Sequence, residues 1–155
     1  MTQTSNQFEM SREKGTSALL ENTEVLECRV DSSESTALVA GQAVKVKDVT
    51  NDLVTVTAAT DDADDILGFV LYSVKTDTHA ADANVKVAIR GTVMNMEASA
   101  AIAAGANVEI VVTGQKILTV TNTGSRIIGK ALNKAAADGD IIPVLVNTPT
   151  NDVVA

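Results

Sequence analysis

Apolar and polar residues alternate along several short stretches of this chain, and no other feature restricts its fold as strongly. A period of two places one side of an extended strand in a core and the other in solvent. Turn-forming runs of Asp, Asn, Thr and Gly separate the stretches, and only 2% of the residues are aromatic. The pattern predicts a mainly β protein with an aliphatic core, and its clearest strands contain Leu26, Cys28 and Val30; Val44 and Val46; Val54 and Val56; and Val85, Val87 and Ile89.

The chain also repeats itself. Residues 35–57 and 99–121, at an offset of 64, are identical at eight of 23 aligned positions. The likeness continues past shortened loops, since Gly68 corresponds to Gly129 and Val85 to Ile142. We predict an internal duplication with pseudo-repeats at about 24–88 and 89–147. Because each repeat is too small to be stable by itself, the two are expected to share one core as a small β-barrel or sandwich.

Three segments depart from the strand pattern, and one proline interrupts a predicted strand. Residues 1–23 are polar and aperiodic, and we expect an extended N-terminal arm that folds onto a partner. The alanine-rich residues 98–104, followed by Gly105, predict one short helix. Pro143 predicts an edge strand, because proline lacks the N–H that an interior strand uses. Residues 148–155 are predicted to form a C-terminal tail.

The net charge of −8 and the pI near 4.5 restrict the partners of this chain. A polyanion repels it, so we expect neither nucleic-acid binding nor adsorption to an anionic membrane. The sequence lacks the run of about 18 apolar residues that predicts a membrane span, and residues 1–10 lack the pattern of a signal peptide. The single cysteine, Cys28, excludes an internal disulfide, which fits assembly in a reducing cytoplasm.

Two motifs suggest ligand sites, but each has a simpler interpretation. Residues 124–130 match the G-x-x-x-x-G-K phosphate loop, yet Ala131 stands where that loop needs Ser or Thr, and Ile127 and Ile128 favour a strand. The four aspartates of residues 61–65 could bind Ca²⁺, but they lack the glycine and the distal glutamate of a calcium loop. We interpret the first as a strand whose glycine allows close packing, and the second as a solvated acidic turn.

Two single residues carry reactive groups. His79 is the only histidine, has no second imidazole to complete a zinc site or a catalytic dyad, and is expected in a surface loop. Cys28 lies on the apolar side of a predicted strand, which indicates a small core residue rather than a nucleophile. We therefore predict no catalytic, metal-binding or cofactor-binding residue, and no enzyme activity.

The order of several short motifs resembles that of phage capsid cement, or head decoration, proteins. These motifs are residues 40–44 (AGQAV), 66–71 (ILGFVL), 85–91 (VKVAIRG), 102–108 (IAAGANV), 128–132 (IGKAL) and 135–142 (AAADGDII). The resemblance implies a small β-tulip or β-barrel fold, often trimeric, on the outer face of an icosahedral capsid. It also implies an N-terminal arm that joins the capsid lattice, although the arm and the tail of this chain are longer than the family pattern.

On this resemblance we expect a virion structural protein, made in the host cytoplasm, that binds the major capsid protein shell and clamps adjacent capsomers. Its arm would contribute Phe8 and Met10 as apolar anchors, with Arg12 and Lys14 as rim contacts. Two alternatives stay open. One is another virion component, such as a fibre base or a tail-tube-like subunit. The other is a β-type binding module for carbohydrate, which the few aromatic residues disfavour.

Overall fold

The computed structural model describes residues 14–16, 24–73 and 76–149. Every regular element in these ranges is a β-strand, so they contain no helix that could cross a membrane. The prediction of a mainly β chain is confirmed. The strands are β1 (Val25–Val30), β2 (Leu38–Val39), β3 (Ala43–Thr50), β4 (Leu53–Ala58), β5 (Gly68–Val70), β6 (Thr78–His79), β7 (Asn84–Ala88), β8 (Val93–Glu97), β9 (Asn107–Val111), β10 (Lys116–Thr119), β11 (Gly129–Ala131) and β12 (Ile141–Val146).

The first repeat forms a closed barrel with the strand order β1-β4-β3-β5-β7. Its neighbouring strands are antiparallel except at the closing seam, where β1 runs parallel to β4 and Arg29 lies opposite Thr55. Because β1 also pairs with β7, neither side of the barrel keeps an open edge. The short strands β2 and β6 form a separate ladder in which Leu38 lies opposite His79.

The second repeat has the same strand order. Its sheet runs β10-β9-β11-β12-β8, so β8, β9, β10, β11 and β12 take the places of β1, β3, β4, β5 and β7. Here the seam is closed by one parallel bridge, between Ala98 and Ile117. The shared order confirms the predicted internal duplication, while the boundary near residues 88 and 89 stays a prediction.

Equivalent glycines hold the corresponding strands β5 and β11 close to their neighbours. A Cβ on Gly68 would lie 2.1 Å from the Ala88 carbonyl oxygen, and a Cβ on Gly129 would lie 2.5 Å from the Leu145 carbonyl oxygen. No side chain fits in either space. Gly129 is closely packed in β11, as we interpreted it, but the strand begins only there, and the expectation that Ile127 and Ile128 lie in a strand is wrong.

The apolar interior divides into two clusters instead of the single core that we predicted. The smaller cluster fills the first barrel and includes Cys28, Val44 and Val87. The larger one fills the second repeat but also contains Phe69 and Ala88 from the first. Each repeat therefore has its own apolar cluster, and apolar side chains of both repeats meet at their junction.

The predicted short helix is wrong. In residues 98–104 the backbone is bound to distant segments: the Ala98 N–H donates to the Asp140 carbonyl at 2.8 Å, and Ile102 and Ala135 exchange two hydrogen bonds of 3.0 and 2.9 Å. These N–H groups are therefore not free for the bonds of a helix. Tertiary pairing overrides the helix propensity of alanine, which is only a weak preference.

The prediction of an edge strand at Pro143 is also wrong, because β12 lies between β11 and β8. The Pro143 carbonyl accepts a hydrogen bond from the Leu132 N–H at 2.9 Å. The N and O atoms of one residue point to the same side of a strand, so the proline nitrogen faces that side as well. Since β11 ends at Ala131, no ladder N–H is needed there.

Candidate functional site

Residues 14–16, here called the strap, lie at the junction of the two repeats. The Gly15 N–H donates to the Asn95 carbonyl, and the Asn95 N–H donates to the Thr16 carbonyl, both at 2.9 Å. The Asn95 side-chain amide donates to Thr16 Oγ1 at 3.0 Å. On the other side, the Tyr72 N–H donates to the Gly15 carbonyl at 2.9 Å. The strap therefore joins β8 of the second repeat to the segment that follows β5 in the first.

The position of Asn95 in the sheet explains why its backbone binds the strap. Asn95 lies opposite Pro143 of β12, and the nitrogen and oxygen of Pro143 face β11 rather than β8. Asn95 and Pro143 therefore form a non-hydrogen-bonded antiparallel pair, in which the backbone N–H and C=O of Asn95 both point away from β12. Asn95 is only 4% exposed, and the strap supplies the partners that these buried polar groups need.

Only glycine fits at the centre of the strap. Gly15 has a φ of +82°, and a Cβ there would lie 2.5 Å from the Gly41 nitrogen. Gly41 has a φ of +80°, and its own Cβ would lie 2.8 Å from Lys14 Cγ. Conformation and close approach together exclude larger residues. Gly15 is the only glycine among residues 1–23, a signal in the sequence that could have identified this position.

The Lys14 ammonium extends the contacts of the strap to the seam of the second repeat. Its Nζ lies 3.8 Å from Glu97 Oε2 and 3.5 Å from the Gly114 carbonyl oxygen. Burial lowers the pKa of Lys14, a shift that the Glu97 carboxylate opposes and the Lys116 ammonium reinforces. Lys116 itself pairs with Asp138 at 2.7 Å and with Glu97 at 2.8 Å, and these hydrogen bonds raise its pKa.

Lys14 is the one predicted partner contact that falls within the described residues. The structure places its ammonium beside Glu97 of the same chain, so its role toward a partner stays a prediction. Phe8, Met10 and Arg12 lie outside the described residues. Sequence reasoning missed Asn95, which lies 79 residues from Thr16 and could be assigned to it only from the fold.

The acidic turn of residues 61–65 also links the two repeats. Asp62 Oδ1 accepts a hydrogen bond from the Val112 N–H at 2.7 Å. Arg126 donates to the Ala63 carbonyl at 3.1 Å and to Asp65 Oδ1 at 3.3 Å. The turn is largely exposed, as expected, but it is bound to the second repeat as well. Within the described ranges, no group of three or more His, Cys, Asp or Glu side chains could hold a metal ion.

Asp64 organises the acidic turn. Both of its carboxylate oxygens accept hydrogen bonds from Lys45 Nζ, at 2.8 and 2.9 Å, and Oδ2 also accepts the N–H groups of Thr60 and Asp61. Burial alone would raise the pKa of Asp64, but these hydrogen bonds outweigh it and lower the pKa. The lowered pKa of Asp64 therefore reflects its role in holding the turn together.

The structure contradicts the prediction for His79 and agrees with the prediction for Cys28. The prediction of a surface loop for His79 is wrong, because His79 lies in β6, pairs with Leu38 of β2 and is 7% exposed. Its strand has only two residues, too few to show an alternating pattern. Cys28 is a core residue, as predicted, with 1% exposure. Burial raises the pKa of its thiol to about 11, which keeps the reactive thiolate scarce at neutral pH.

The outer face of the second sheet exposes a row of apolar side chains. Ile141 and Leu145 of β12 are 38% and 39% exposed, and Leu132, just after β11, is 49% exposed. Of these three, Leu145 also lines a groove of about 260 Å³, together with Arg90 and Lys130. Contiguous apolar side chains with a polar rim are typical of surfaces that contact another protein.

Comparisons with known proteins agree with this fold. The profile of the phage cement protein family matches residues 24–147. The N base of the head fiber protein gp8.5 of bacteriophage phi29 has a similar structure, with a TM-score of 0.52 and 11% sequence identity over 81% of this chain and 94% of that one. At this identity the likeness concerns the fold alone. No curated protein sequence matches the chain. Because the profile covers most of its length, the chain belongs to the phage cement protein family, whose members are structural components of the virion.

Proposed function

We propose that this protein binds the outer surface of an assembled phage capsid and stabilises the shell by clamping adjacent capsomers. The family match over residues 24–147 carries the proposal. Binding without catalysis also suits a domain whose apolar side chains fill two interiors and leave the outer faces and the N-terminal arm for contacts. The partner we propose is the major capsid protein, and the protein is made in the host cytoplasm.

Stabilisation of the shell follows from thermodynamic linkage. A protein that binds only the mature shell stabilises it by RT ln(1 + [L]/Kd), about 2.7 kcal/mol per site at roughly 100-fold excess over Kd. We also propose a homotrimer, in which three linked binding sites would raise the avidity without any new contact. The apolar row of Leu132, Ile141 and Leu145 is one face that such contacts could use.

The strap supports a role for the residues that precede it. Because Gly15 and Thr16 are bound to Asn95 and Tyr72, the part of the predicted arm that precedes the strap, residues 1–13, is attached at a fixed point of the domain. We propose Phe8 and Met10 as its apolar anchors and Arg12 as a rim contact, with main-chain bonds to a sheet edge of the capsid. Lys14 remains a candidate rim contact, which requires its ammonium to leave Glu97.

Deletion of residues 1–13 tests this role of the arm. The cut stops before Lys14, so it keeps the strap and should leave the unfolding free energy of the domain unchanged. We expect the occupancy of expanded shells, measured by co-sedimentation, to require about tenfold or more protein, equivalent to a loss of about 1.4 kcal/mol. Undiminished occupancy would refute the role of the arm, and failure of the full chain to bind shells would refute capsid binding itself.

A matched pair of variants refines the test. The full chain with Phe8→Ala and Met10→Ala should lose occupancy, whereas Gln3→Ala and Gln7→Ala in the same arm should not, because only the first pair removes apolar anchors. Equal occupancy of the two variants would show that the anchors lie elsewhere.

The fold shared with the N base of the phi29 head fiber allows a second candidate function. A fibre base would occupy the shell and carry further protein outward. Electron microscopy of decorated shells separates the two: compact knobs at lattice positions support the cement function, and projecting fibres support the base.

A further inference from the structure

The strap lies in a slot whose walls come entirely from the folded domain. The walls are formed by Gly41, Tyr72, Asn95, Glu97 and Gly114. None of these residues belongs to the arm or to the segment that connects the strap to β1. The slot therefore has the same shape and the same hydrogen-bonding groups whichever copy of the chain supplies the strap.

The slot also selects the sequence that fills it. Gly15 approaches the Gly41 nitrogen so closely that a Cβ would lie 2.5 Å away, while the Lys14 ammonium lies 3.8 Å from the Glu97 carboxylate. A segment with the order Lys-Gly-Thr meets both conditions. The position equivalent to Gly41 in the second repeat, Gly105, has nothing within 4 Å of a built Cβ, so the first repeat alone provides this contact.

The connection from the strap to β1 is longer than its own slot requires. Thr16 is bound to Asn95, and the Glu24 N–H donates to Thr92 Oγ1 at 3.1 Å. Asn95 and Thr92 are three residues apart along one extended segment, which is roughly 10 Å. The chain from Thr16 to Glu24 has 24 − 16 = 8 steps and spans roughly 26 Å when extended. The connection is therefore roughly 16 Å longer than its own slot requires, and a strap that binds another copy needs such a surplus.

We propose that the strap is exchanged between copies of this chain, so that Lys14, Gly15 and Thr16 of one copy fill the slot of another. The bonds formed in the two arrangements are the same, and their balance depends only on the local concentration of the two slots. At low protein concentration each strap fills the slot of its own chain. At high local concentration straps fill the slots of neighbouring copies. The exchange is a property of the chain itself and does not depend on the proposed capsid partner.

Zero-length cross-linking of the full, unaltered chain tests the exchange. A carbodiimide couples the Lys14 amine to the Glu97 carboxylate, and isotopically light and heavy copies are mixed in equal amounts beforehand. Mass spectrometry of the Lys14–Glu97 product then shows which copy supplied each residue. We expect light–heavy products to rise with protein concentration toward half of the total. Their absence at every concentration would overturn the proposal.

Lys116 provides an internal reference in the same sample. It also pairs with Glu97, at 2.8 Å, and both residues belong to the folded domain of one chain. The Lys116–Glu97 product should therefore stay free of light–heavy pairs. If it contains them to the same extent as the Lys14–Glu97 product, mixing reflects general contact between copies, and the exchange is refuted.

Two glycine variants test the slot. Gly15→Ala should lower the yield of the Lys14–Glu97 product by about tenfold or more while keeping the Lys116–Glu97 product, because the slot has no space for a methyl group. Gly124→Ala has a similar φ of +89° but nothing within 4 Å, and it should change neither product. An unchanged Lys14–Glu97 yield in Gly15→Ala would show that the strap does not bind through this slot.

Discussion

At the scale of single residues, glycine decides where segments of main chain can approach each other. Gly68 and Gly129 occupy equivalent places in the two repeats, and each faces a carbonyl oxygen of the neighbouring strand. Gly41 and Gly105 are equivalent too, with φ values of +80° and +81°, but only Gly41 has the strap beside it. Glycine is therefore needed at Gly105 only for its backbone conformation, and at Gly68 because a neighbouring strand leaves no space for a side chain.

Gly68→Ala separates these two uses. A methyl group 2.1 Å from the Ala88 carbonyl oxygen forces the strands apart, and we expect a loss of about 3 kcal/mol or more of unfolding free energy in urea titrations. Gly105→Ala, which costs backbone strain alone, should lose about 1–2 kcal/mol. Equal losses in the two variants would contradict the steric reason given for Gly68.

At the scale of elements, the acidic turn of residues 61–65 connects strands of both repeats. Its carboxylates would repel one another if they were left unpaired, but Asp62, Asp64 and Asp65 each accept a hydrogen bond from another part of the chain. Asp64 is central because its hydrogen bonds hold the turn and Thr60, which follows β4, to Lys45 of β3.

Asp64→Asn should destabilise the fold by about 1–2 kcal/mol at neutral pH, because the Lys45 ion pair is lost. The pKa of Asp64 is lowered on folding, so its contribution is present above its unfolded pKa and is lost as the pH falls through the lower, folded value. The difference between the two proteins should therefore shrink below about pH 4.

Urea titrations across the acidic range check this pH dependence. Asp77→Asn serves as the matched control, because Asp77 is exposed and its replacement should cost less than about 0.5 kcal/mol at any pH. A gap between Asp64→Asn and the unaltered chain that stays constant down to the acid transition would show that ionisation of Asp64 is not the cause.

Strand patterns were readable in the sequence wherever one side of a strand is buried and the other exposed. Burial alternates in this way at Val85, Lys86 and Val87 of β7, whereas in β3 Val44 is buried but Val46 is 50% exposed, although the sequence pattern placed both on the core side. The pattern failed in residues 98–104, where alanine has no preference strong enough to resist pairing with Ala135 and Asp140. The strand pattern could not identify the strap. The single glycine of residues 1–23 marks Gly15 as a special position, but its contacts depend on how the two repeats pack, and packing is not a local property.

At the scale of the whole molecule, the junction is apolar inside and polar at its rim. Phe69 of the first repeat lies in the same cluster as Met94 and Val108 of the second. Around it, Gln115 Oε1 accepts the Ala43 N–H at 2.7 Å, and the strap and the acidic turn add further bonds. The two repeats are therefore joined by packing and by hydrogen bonds.

Phe69→Ala should lower the stability of both repeats together. Removal of a fully buried aromatic side chain costs about 3–5 kcal/mol, and a shared cluster transmits that loss to both repeats. Hydrogen exchange at Val87 and at Met94 should accelerate to similar extents. Tyr72→Ala, which truncates a 42% exposed side chain, is the control and should change exchange little. Acceleration at only one of the two positions would contradict joint unfolding.

The strap is translated before all of its partners. The strands of the first barrel are complete once Ala88 has been synthesised. Asn95 and Glu97 follow, and Gly114 emerges 100 residues after Lys14. Since domains fold as they are synthesised from the N-terminus, Lys14, Gly15 and Thr16 can reach their final positions only after residues that are translated much later.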